Sequence, residues 1–421
     1  MRGTIMALYL FICFFFFTGV ISCSYADSAQ VLPKGVVSVT LEGKYFFPVE
    51  KKFDNDGKKE DIAKDYNANL NSTVFRDLQY LEEGSPVPLP FPKLPPGSAS
   101  IGNSVVSFEL GGYEFIPLLQ YGVTDRLTVG ARIPFFWRKN EVKAVLDTSK
   151  ATVGKNTAFN TLAPLSVPGT VPLTTQDAQN LIGHGLDINK DGKIDIPGFG
   201  FKPVRSWSDH GFSDIEIGGR YQYLKMDRWQ LAFTGAVRFP TGNVDDPDNL
   251  ADIKLGDGAY ALLFQLQNDF TGIKNLLLNA TFRYDLVLPH KERLRVPDSV
   301  HQPLTKNEES VDRNIGDRIE IEVSGIYEFF NGFSFSLLYK YGYKFKDHAS
   351  GNGGFNYKSL EDETNTEEHI GIASLCYSTI PLYQAKKFPL PMTASVSYRD
   401  RFAGVNRENA QYISLTFAIY F

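Results

Sequence analysis

One stretch, residues 211–243, restricts the possible folds of this chain more than any other part of it. Apolar or small side chains occupy every second position over 215–223, and polar or charged side chains occupy most positions between them. After a polar turn at 225–228 the same alternation returns over 229–239. A period of two on both sides of a short turn predicts a β-hairpin. Each strand has the roughly ten residues that a tilted strand needs to cross a bilayer.

The same alternation recurs along the whole chain, and no other element is available to cover so many apolar strand faces. We therefore predict an all-β fold, a transmembrane antiparallel β-barrel of about twelve strands, whose closure leaves no exposed strand edge. A bulge is expected at Gly111–Gly112, where the apolar face changes sides, and a tight hairpin at Asn331–Gly332. The predicted strands begin near residues 37, 104, 127, 215, 229, 260, 276, 319, 333, 367, 392 and 413.

The predicted connections alternate in length, long and then short, to the end of the chain. Bacterial outer-membrane barrels have an even number of strands, long extracellular loops and short periplasmic turns. We therefore expect one barrel domain over residues 27–421, with long loop insertions at 48–103 and 139–210.

The composition supports strands rather than membrane helices. Aromatic residues make up 14% of the chain, whereas the mean hydropathy is only −0.19. The net charge is −5 and no basic stripe is present, so nucleic acid is not an expected partner.

Residues 1–26 have the features of an export signal. Arg2 precedes an apolar run that is too short for a typical spanning helix, and Ser24-Tyr25-Ala26 offers small residues for cleavage before Asp27. The alternative is a lipoprotein box that would leave Cys23 lipidated. An exported barrel is expected in the outer membrane of a Gram-negative bacterium.

The last predicted strand ends in Phe421, and apolar residues occupy every second position before it. This end resembles the C-terminal signature of outer-membrane barrels. The resemblance implies that the outer-membrane assembly machinery reads this strand and that outer-membrane lipid surrounds the barrel.

The turn and strand LQYGVTDRLTVGARIP at 119–134, the strand SDIEIGGRYQYL from 213 and the closing PTGN at 240–243 resemble the MetA-pathway of phenol degradation family. The resemblance is specific over about residues 113–243, and beyond them it rests on the strand pattern. It implies an exported barrel that transports small molecules. The family carries no firmly assigned functional residues, and the loop 139–210 looks like an insertion relative to its pattern.

The polar faces of the strands carry charges of both signs, which would line the lumen. Most of them are expected to form salt bridges within the wall, and together they leave a polar passage. We predict a channel or transporter for passive uptake or export of small molecules, aromatic or hydrophobic ones included, and no enzyme. The alternative is a structural or surface-interaction barrel without transport. The predicted lumen charges are Lys44, Arg132, Arg220, Arg238, Arg283, Asp285, Glu216, Glu320, Glu322, Lys340 and Arg399.

A calcium-binding pattern lies in the second long loop. Asp187, Asn189, Asp191 and Asp195 stand at ligand positions one, three, five and nine of a calcium loop, and Lys193 would offer its backbone carbonyl. The bidentate Glu at position twelve is missing. We predict weak Ca²⁺ binding that orders the loop, with a metal-free turn as the alternative.

A second, remote alternative is a lipid hydrolase. His348 and Ser350 precede a Gly-rich segment that resembles the motif of outer-membrane phospholipase, but Gly351 stands where that family has Asn. The departure puts an enzymatic function in doubt.

Overall fold

A computed structural model describes residues 27–83, 89–299, 304–330 and 332–421. The predicted signal segment 1–26 and Asn331 of the predicted hairpin turn lie outside these residues. The described chain forms a barrel of twelve antiparallel strands. They are β1 Val37–Val49, β2 Ser100–Thr124, β3 Leu127–Arg132 with Phe135–Asp147, β4 Trp207–Phe212 with Ile215–Lys225, β5 Trp229–Phe239, β6 Ala261–Ile273, β7 Leu276–Val287, β8 Arg318–Phe330, β9 Phe333–Lys344, β10 Thr366–Ser378, β11 Met392–Val405 and β12 Gln411–Tyr420.

The barrel is closed because β1 pairs with strands on both sides. Ser38 lies opposite Tyr420 of β12 and opposite Gln120 of β2. All other neighbours are consecutive antiparallel strands, so the predicted fold class is confirmed. We call the end that holds the connections β2–β3, β4–β5, β6–β7 and β8–β9 the turn end, and the opposite end the loop end.

The outward strand faces form an apolar belt. Leu415 is 64% exposed, Leu337 58% and Ile217 50%, although all three are large hydrophobic residues. A water-soluble monomer rarely exposes a contiguous apolar surface of this extent. The belt therefore fits the hydrocarbon of a membrane, as the alternation of the sequence predicted.

The bulge expected at Gly111–Gly112 is found opposite these glycines, with its extra residue on β1 instead of β2. The pairing of β2 with β3 passes through both glycines without a shift, and the irregularity lies on β1 between Phe46 and Val49. The apolar face changes sides because β2 and β3 continue past the barrel rim. There the inward Phe108 is buried under the loops, whereas outward residues such as Lys139 are exposed.

Long connections at the loop end form what we call the loop cap: residues 50–99, 148–206, 240–260, 288–317 and 345–365, as far as they are described. The first two share an apolar core that includes Leu78, Leu81, Leu162 and Leu186, all almost fully buried. The cap holds the short strands Lys51–Phe53, Lys59–Asp61, Asn69–Asn71, Val153–Asn156, Thr161–Pro164, Thr170–Pro172, Gly185–Leu186, Ile196–Pro197, His290–Arg295, Glu308–Asn314 and His348–Ser350, and the 3-10 helices Lys64–Tyr66, Arg76–Leu78 and Tyr357–Leu360.

Helices are few and short: α1 Tyr80–Glu83, α2 Thr175–Ile182 and α3 Ile380–Gln384. A capping box starts α2, since Thr174 accepts from the Asp177 backbone and Asp177 accepts from that of Thr174. No helix in the described part of the chain is long and apolar enough to span a membrane. The predicted alternation of lengths fails at its end, because the turn-end connection 379–391 contains α3 and the loop-end connection 406–410 is shorter. The short strand Arg407–Glu408 within that connection pairs with Lys51–Phe53.

Candidate functional site

The lumen wall carries a cluster of ion pairs near the loop end of β4, β5 and β7. The Arg238 guanidinium lies 2.8 Å from the carboxylate of Glu216 and 3.1 Å from that of Asp285. Arg283 lies 2.6 Å from Asp285 and 3.7 Å from Glu216. Two guanidinium groups and two carboxylates therefore neutralise each other within one layer of the wall.

The other predicted lumen charges also stand on the inward face with partners of opposite charge. Lys340 Nζ lies 2.7 Å from Glu320 and 3.8 Å from Glu322. Lys44 and Arg132 share Glu114, at 3.0 and 3.6 Å. The two remaining members are Arg220, 3.2 Å from Asp27, and Arg399, 3.9 Å from Glu368.

Hydrogen bonds from Ser213 and Asp214 fix the connection 240–260 at the loop end. We call these contacts the clasp. The carboxylate of Asp214, which lies in the break of β4, accepts from the backbone N–H of Gly242 at 3.0 Å and of Asp257 at 2.8 Å. Ser213 Oγ donates to the carbonyl of Leu255. A Cβ on Gly256 would clash with the Asp214 carboxylate, so the close approach requires glycine.

The clasp places Asp257 among lumen cations. Its carboxylate lies 2.8 Å from Arg318, 3.2 Å from Lys254 and 3.8 Å from Arg238. Burial alone would raise the pKa of Asp257, but Arg318, Lys254 and Arg238 outweigh it and hold the pKa well below its usual range. The carboxylate therefore stays charged at neutral pH and ties the connection to the wall.

Further contacts attach the same connection to the extended strands and the loop cap. Trp207 Nε1 and Asn140 Nδ2 both donate to the Ala251 carbonyl, at 2.7 and 3.2 Å. Arg295 donates both to the Asp248 carboxylate and, at 2.8 Å, to the Phe199 carbonyl, and so it joins the connection 240–260 to the cap segment 148–206. The connection 240–260 is thus held between the barrel wall and the cap.

On the side of the lumen opposite the ion pairs of β4, β5 and β7, aromatic rings lie next to cationic side chains. The Tyr412 ring of β12 lies 5.4 Å from Lys44 Nζ and 5.1 Å from the Arg399 guanidinium carbon. The Phe46 ring packs edge-on against it at 5.2 Å. This side of the wall offers a flat π surface flanked by positive charge.

The predicted calcium loop forms a compact turn in which the side chains bind backbone groups. Asp187 accepts from the N–H groups of Asp191 and Gly192, at 3.2 and 2.8 Å. Asp195 accepts from Ile188 at 2.7 Å, and Asn189 from Asp191 at 3.0 Å. Within the described ranges no three Asp, Glu, His or Cys side chains converge as metal ligands. Calcium binding here, with Lys193 as the carbonyl ligand, stays a prediction that requires these side chains to turn.

The remote hydrolase motif lies on an exposed strand of the cap. His348 Nδ1 is 3.8 Å from Glu361 Oε1, and its side chain is solvent-exposed. Ser350 pairs with Asp312 in the sheet, and no hydrogen bond between His348 and Ser350 is present in the described structure. The geometry does not assemble a nucleophile with its base.

Sequence reasoning missed Asp214, Asp257 and the lumen position of residues 27–33. The first two belong to conspicuous segments, Ser213–Asp214 and the Gly-Asp-Gly at 256–258, but neither segment reveals a contact 43 residues away. Before β1 nothing alternates, so the pattern gave no signal for residues 27–36.

Among solved structures, the crystal structure of an outer membrane channel from Pseudomonas putida F1 matches with a TM-score of 0.54 and 11% identity, over 94% of this chain and 100% of that one. The two proteins share a fold. A Pseudomonas aeruginosa FadL homologue and the Ralstonia pickettii toluene transporter TbuX match at TM-scores of 0.34 and 0.32, with 11% and 10% identity, over 92% of this chain and 90% of each of theirs. TM-scores below 0.5 do not establish a shared fold with these two proteins. No family model and no curated protein matches the chain, so the resemblance to the MetA-pathway family is not confirmed.

Proposed function

We propose that this protein is an outer-membrane channel of a Gram-negative bacterium through which small molecules pass passively. The observation that carries the proposal is a closed barrel with an apolar belt outside and charged, mutually paired side chains inside. Such a wall suits lipid on one face and a polar passage on the other. The shared fold with a protein named as an outer membrane channel supports it.

The orientation in the membrane follows from the same proposal. The loop cap would face the outside and the turn end the periplasm, as in outer-membrane barrels generally. The C-terminal strand would be read by the assembly machinery, and it ends at the turn end, where Phe421 and Val37 exchange backbone hydrogen bonds of 2.9 and 3.0 Å.

The proposed solutes include flat aromatic molecules. Tyr412, with Lys44 and Arg399 beside its ring, offers a surface on which an aromatic ring can stack, and the cations favour an anionic substituent. Lys44 and Arg399 are themselves paired, with Glu114 and Glu368, so the Tyr412 ring rather than an unpaired charge is what would favour aromatic solutes here.

Liposome swelling and single-channel recording test the channel. Purified protein should admit a small aromatic carboxylate faster than an aliphatic carboxylate of similar size. Tyr412→Ser should reduce that preference, whereas Tyr398→Ser, which removes an outward-facing tyrosine of β11, should preserve it. A barrel that admits neither solute and carries no current contradicts the proposal.

A surface-interaction barrel is the second candidate, because the cap has its own apolar core and covers the loop end. Replacing residues 148–206 by a short linker distinguishes the two functions. A channel should conduct more after the replacement, whereas a barrel that still carries no current favours the interaction function.

A further inference from the structure

Positively charged side chains are concentrated in consecutive turns at the turn end of the barrel. Arg126 lies in the β2–β3 turn, Lys225 ends β4, and Arg228 lies in the β4–β5 turn. Lys274 lies in the β6–β7 turn, and Lys34 precedes β1. All five residues are exposed. We call these five residues the basic arc.

Backbone contacts between neighbouring turns join the basic arc into one surface. The Arg228 carbonyl accepts from the Thr271 backbone at 2.9 Å, which holds the β4–β5 turn against the end of β6. The Arg126 carbonyl accepts from a backbone N–H of β4 at 2.8 Å. The Asp125 carboxylate beside it accepts from the Lys34 backbone at 3.1 Å. Because these strands are consecutive in the barrel, the five cations follow one side of its rim.

The basic arc is not neutralised by carboxylates. In the described part of the chain none of its five members takes part in an ion pair, whereas the lumen cations have acidic partners, as Arg238 has Glu216 at 2.8 Å. The same turns contain two carboxylates, Asp125 and Asp227, against the five cations. The whole chain has a net charge of −5, so this surface has the opposite sign to the protein. Its partner should therefore be anionic.

Exposed apolar side chains lie between the cations of the basic arc. Met226 is 58% exposed and Ile273 50%, and each is adjacent in sequence to a member of the arc. Tyr223 and Trp229, both exposed, flank the β4–β5 turn, and the Trp229 ring packs against Phe270 at 4.7 Å. Aromatic rings at strand ends are typical of the level of the lipid headgroups. The apolar belt is therefore continuous with the surface that carries the cations.

We propose that the basic arc binds the anionic phosphodiester headgroups of phospholipids in the leaflet that meets the turn end. Lys and Arg side chains can lay their stems on apolar surface and hold their charges among the headgroups. A cation near an anionic lipid surface strengthens binding by about fivefold. This interaction does not depend on whether the lumen conducts, so it goes beyond the proposed channel function.

Glutamine substitutions remove the charges and keep most of the side-chain length. The test variant combines Lys225→Gln, Arg228→Gln and Lys274→Gln. The matched control combines Lys150→Gln, Lys190→Gln and Lys358→Gln, three exposed lysines of the loop cap. Asp227→Asn acts in the opposite direction, because it removes an acidic residue from the arc. A heat-modifiable band shows that each variant is folded.

Tryptophan quenching in vesicles measures which lipid lies beside the arc. The chain has three tryptophans, so subtracting the fluorescence of a Trp229→Phe version isolates the signal of Trp229. The protein is placed in phosphatidylcholine vesicles that contain dibrominated phosphatidylglycerol, and then in vesicles that contain dibrominated phosphatidylcholine instead. In the wild type and the control, the local preference for phosphatidylglycerol should be about fivefold or more. It should nearly vanish in the test variant, rise in Asp227→Asn and fall with added salt.

Equal quenching by the two brominated lipids in the wild type would overturn the proposal and assign the basic arc to a water-soluble acidic partner. A preference that survives in the folded test variant would overturn the role of these cations. A loss of the preference in the control as well would attribute it to the net charge of the protein and not to the arc. Absence of current through the barrel, in contrast, contradicts the channel alone.

Discussion

Replacement of Asp214 by Ala should loosen the connection 240–260 and raise the current through the barrel. The Asp214 carboxylate is 5% exposed and accepts two backbone hydrogen bonds, from Gly242 and Asp257. The substitution leaves both N–H groups buried without an acceptor. Because the side chain of Asp257 moves with the backbone of the loosened connection, its ion pairs with Arg318 and Arg238 weaken as well.

The magnitude follows from these two bonds. Hydrogen bonds to a charged group contribute about 1.5–3 kcal/mol each, so the docked form of the connection loses about 3–6 kcal/mol. At about 1.4 kcal/mol per tenfold change, the ratio of docked to undocked connection falls by a factor of about 10² to 10⁴. The contacts of Ala251 with Trp207 and Asn140 remain and keep the barrel folded.

Single-channel recording in planar bilayers measures the effect. Asp214→Ala should show larger or more frequent open events than the wild type, together with a lower temperature for loss of the folded, heat-modifiable band. Asp209→Ala is the control, because this exposed carboxylate accepts, among the described residues, only from the backbone of the adjacent His210. Equal currents and equal thermal stability in the two variants would refute the clasp.

Three further expectations follow. The depressed pKa of Asp257 means that its contribution to docking is complete above its unfolded pKa of about 3.9 and is lost as the pH falls below it. Current should therefore rise between about pH 4 and pH 2, and less so in Asp257→Asn. Limited proteolysis of residues 139–210 should be slower with Ca²⁺ than with chelator, and Asp191→Ala should abolish the difference; equal rates in the wild type would exclude the metal. Leu415→Lys in the apolar belt should lower the free energy of unfolding from the membrane by about 2–4 kcal/mol in a urea titration. Val145→Lys on the β3 extension, outside the belt, should change it very little. Equal losses in the two variants would show that the belt is assigned to the wrong part of the barrel.

The barrel strands could be predicted from the sequence because lipid imposes one rule on every strand. A strand between hydrocarbon and lumen must alternate, and its apolar parity shows which face is outside. Leu41, Ile217 and Leu415 illustrate the rule, and each is an exposed hydrophobic residue of the belt. The rule ends at the membrane boundary. Phe108 lies past the rim, where the buried face is the inward one, so the change of apolar face on β2 reflects the end of the membrane and not an extra residue on that strand.

The lumen charges could be placed on the inward face, but their partners could not be predicted. Alternation fixes the face of Arg220 and Lys340, whereas the identity of a neighbour depends on strand register and barrel closure. Arg220 contacts Asp27, 193 residues away, and Arg399 contacts Glu368 of the neighbouring strand β10. A contact between distant segments leaves no periodic trace in either of them.

The sequence by itself determined that the chain is an antiparallel barrel, which faces are apolar and which carry charge, because these properties repeat at a fixed period along the chain. The tertiary structure alone decided which distant segments meet inside and above the barrel. The clasp of Asp214 on Gly242 and the hold of Asp269 on Ser28 each join segments that lie far apart in sequence. Only the closed barrel brings them within hydrogen-bond distance, because closure fixes the direction of every strand's inward face and the position of each residue along the barrel axis.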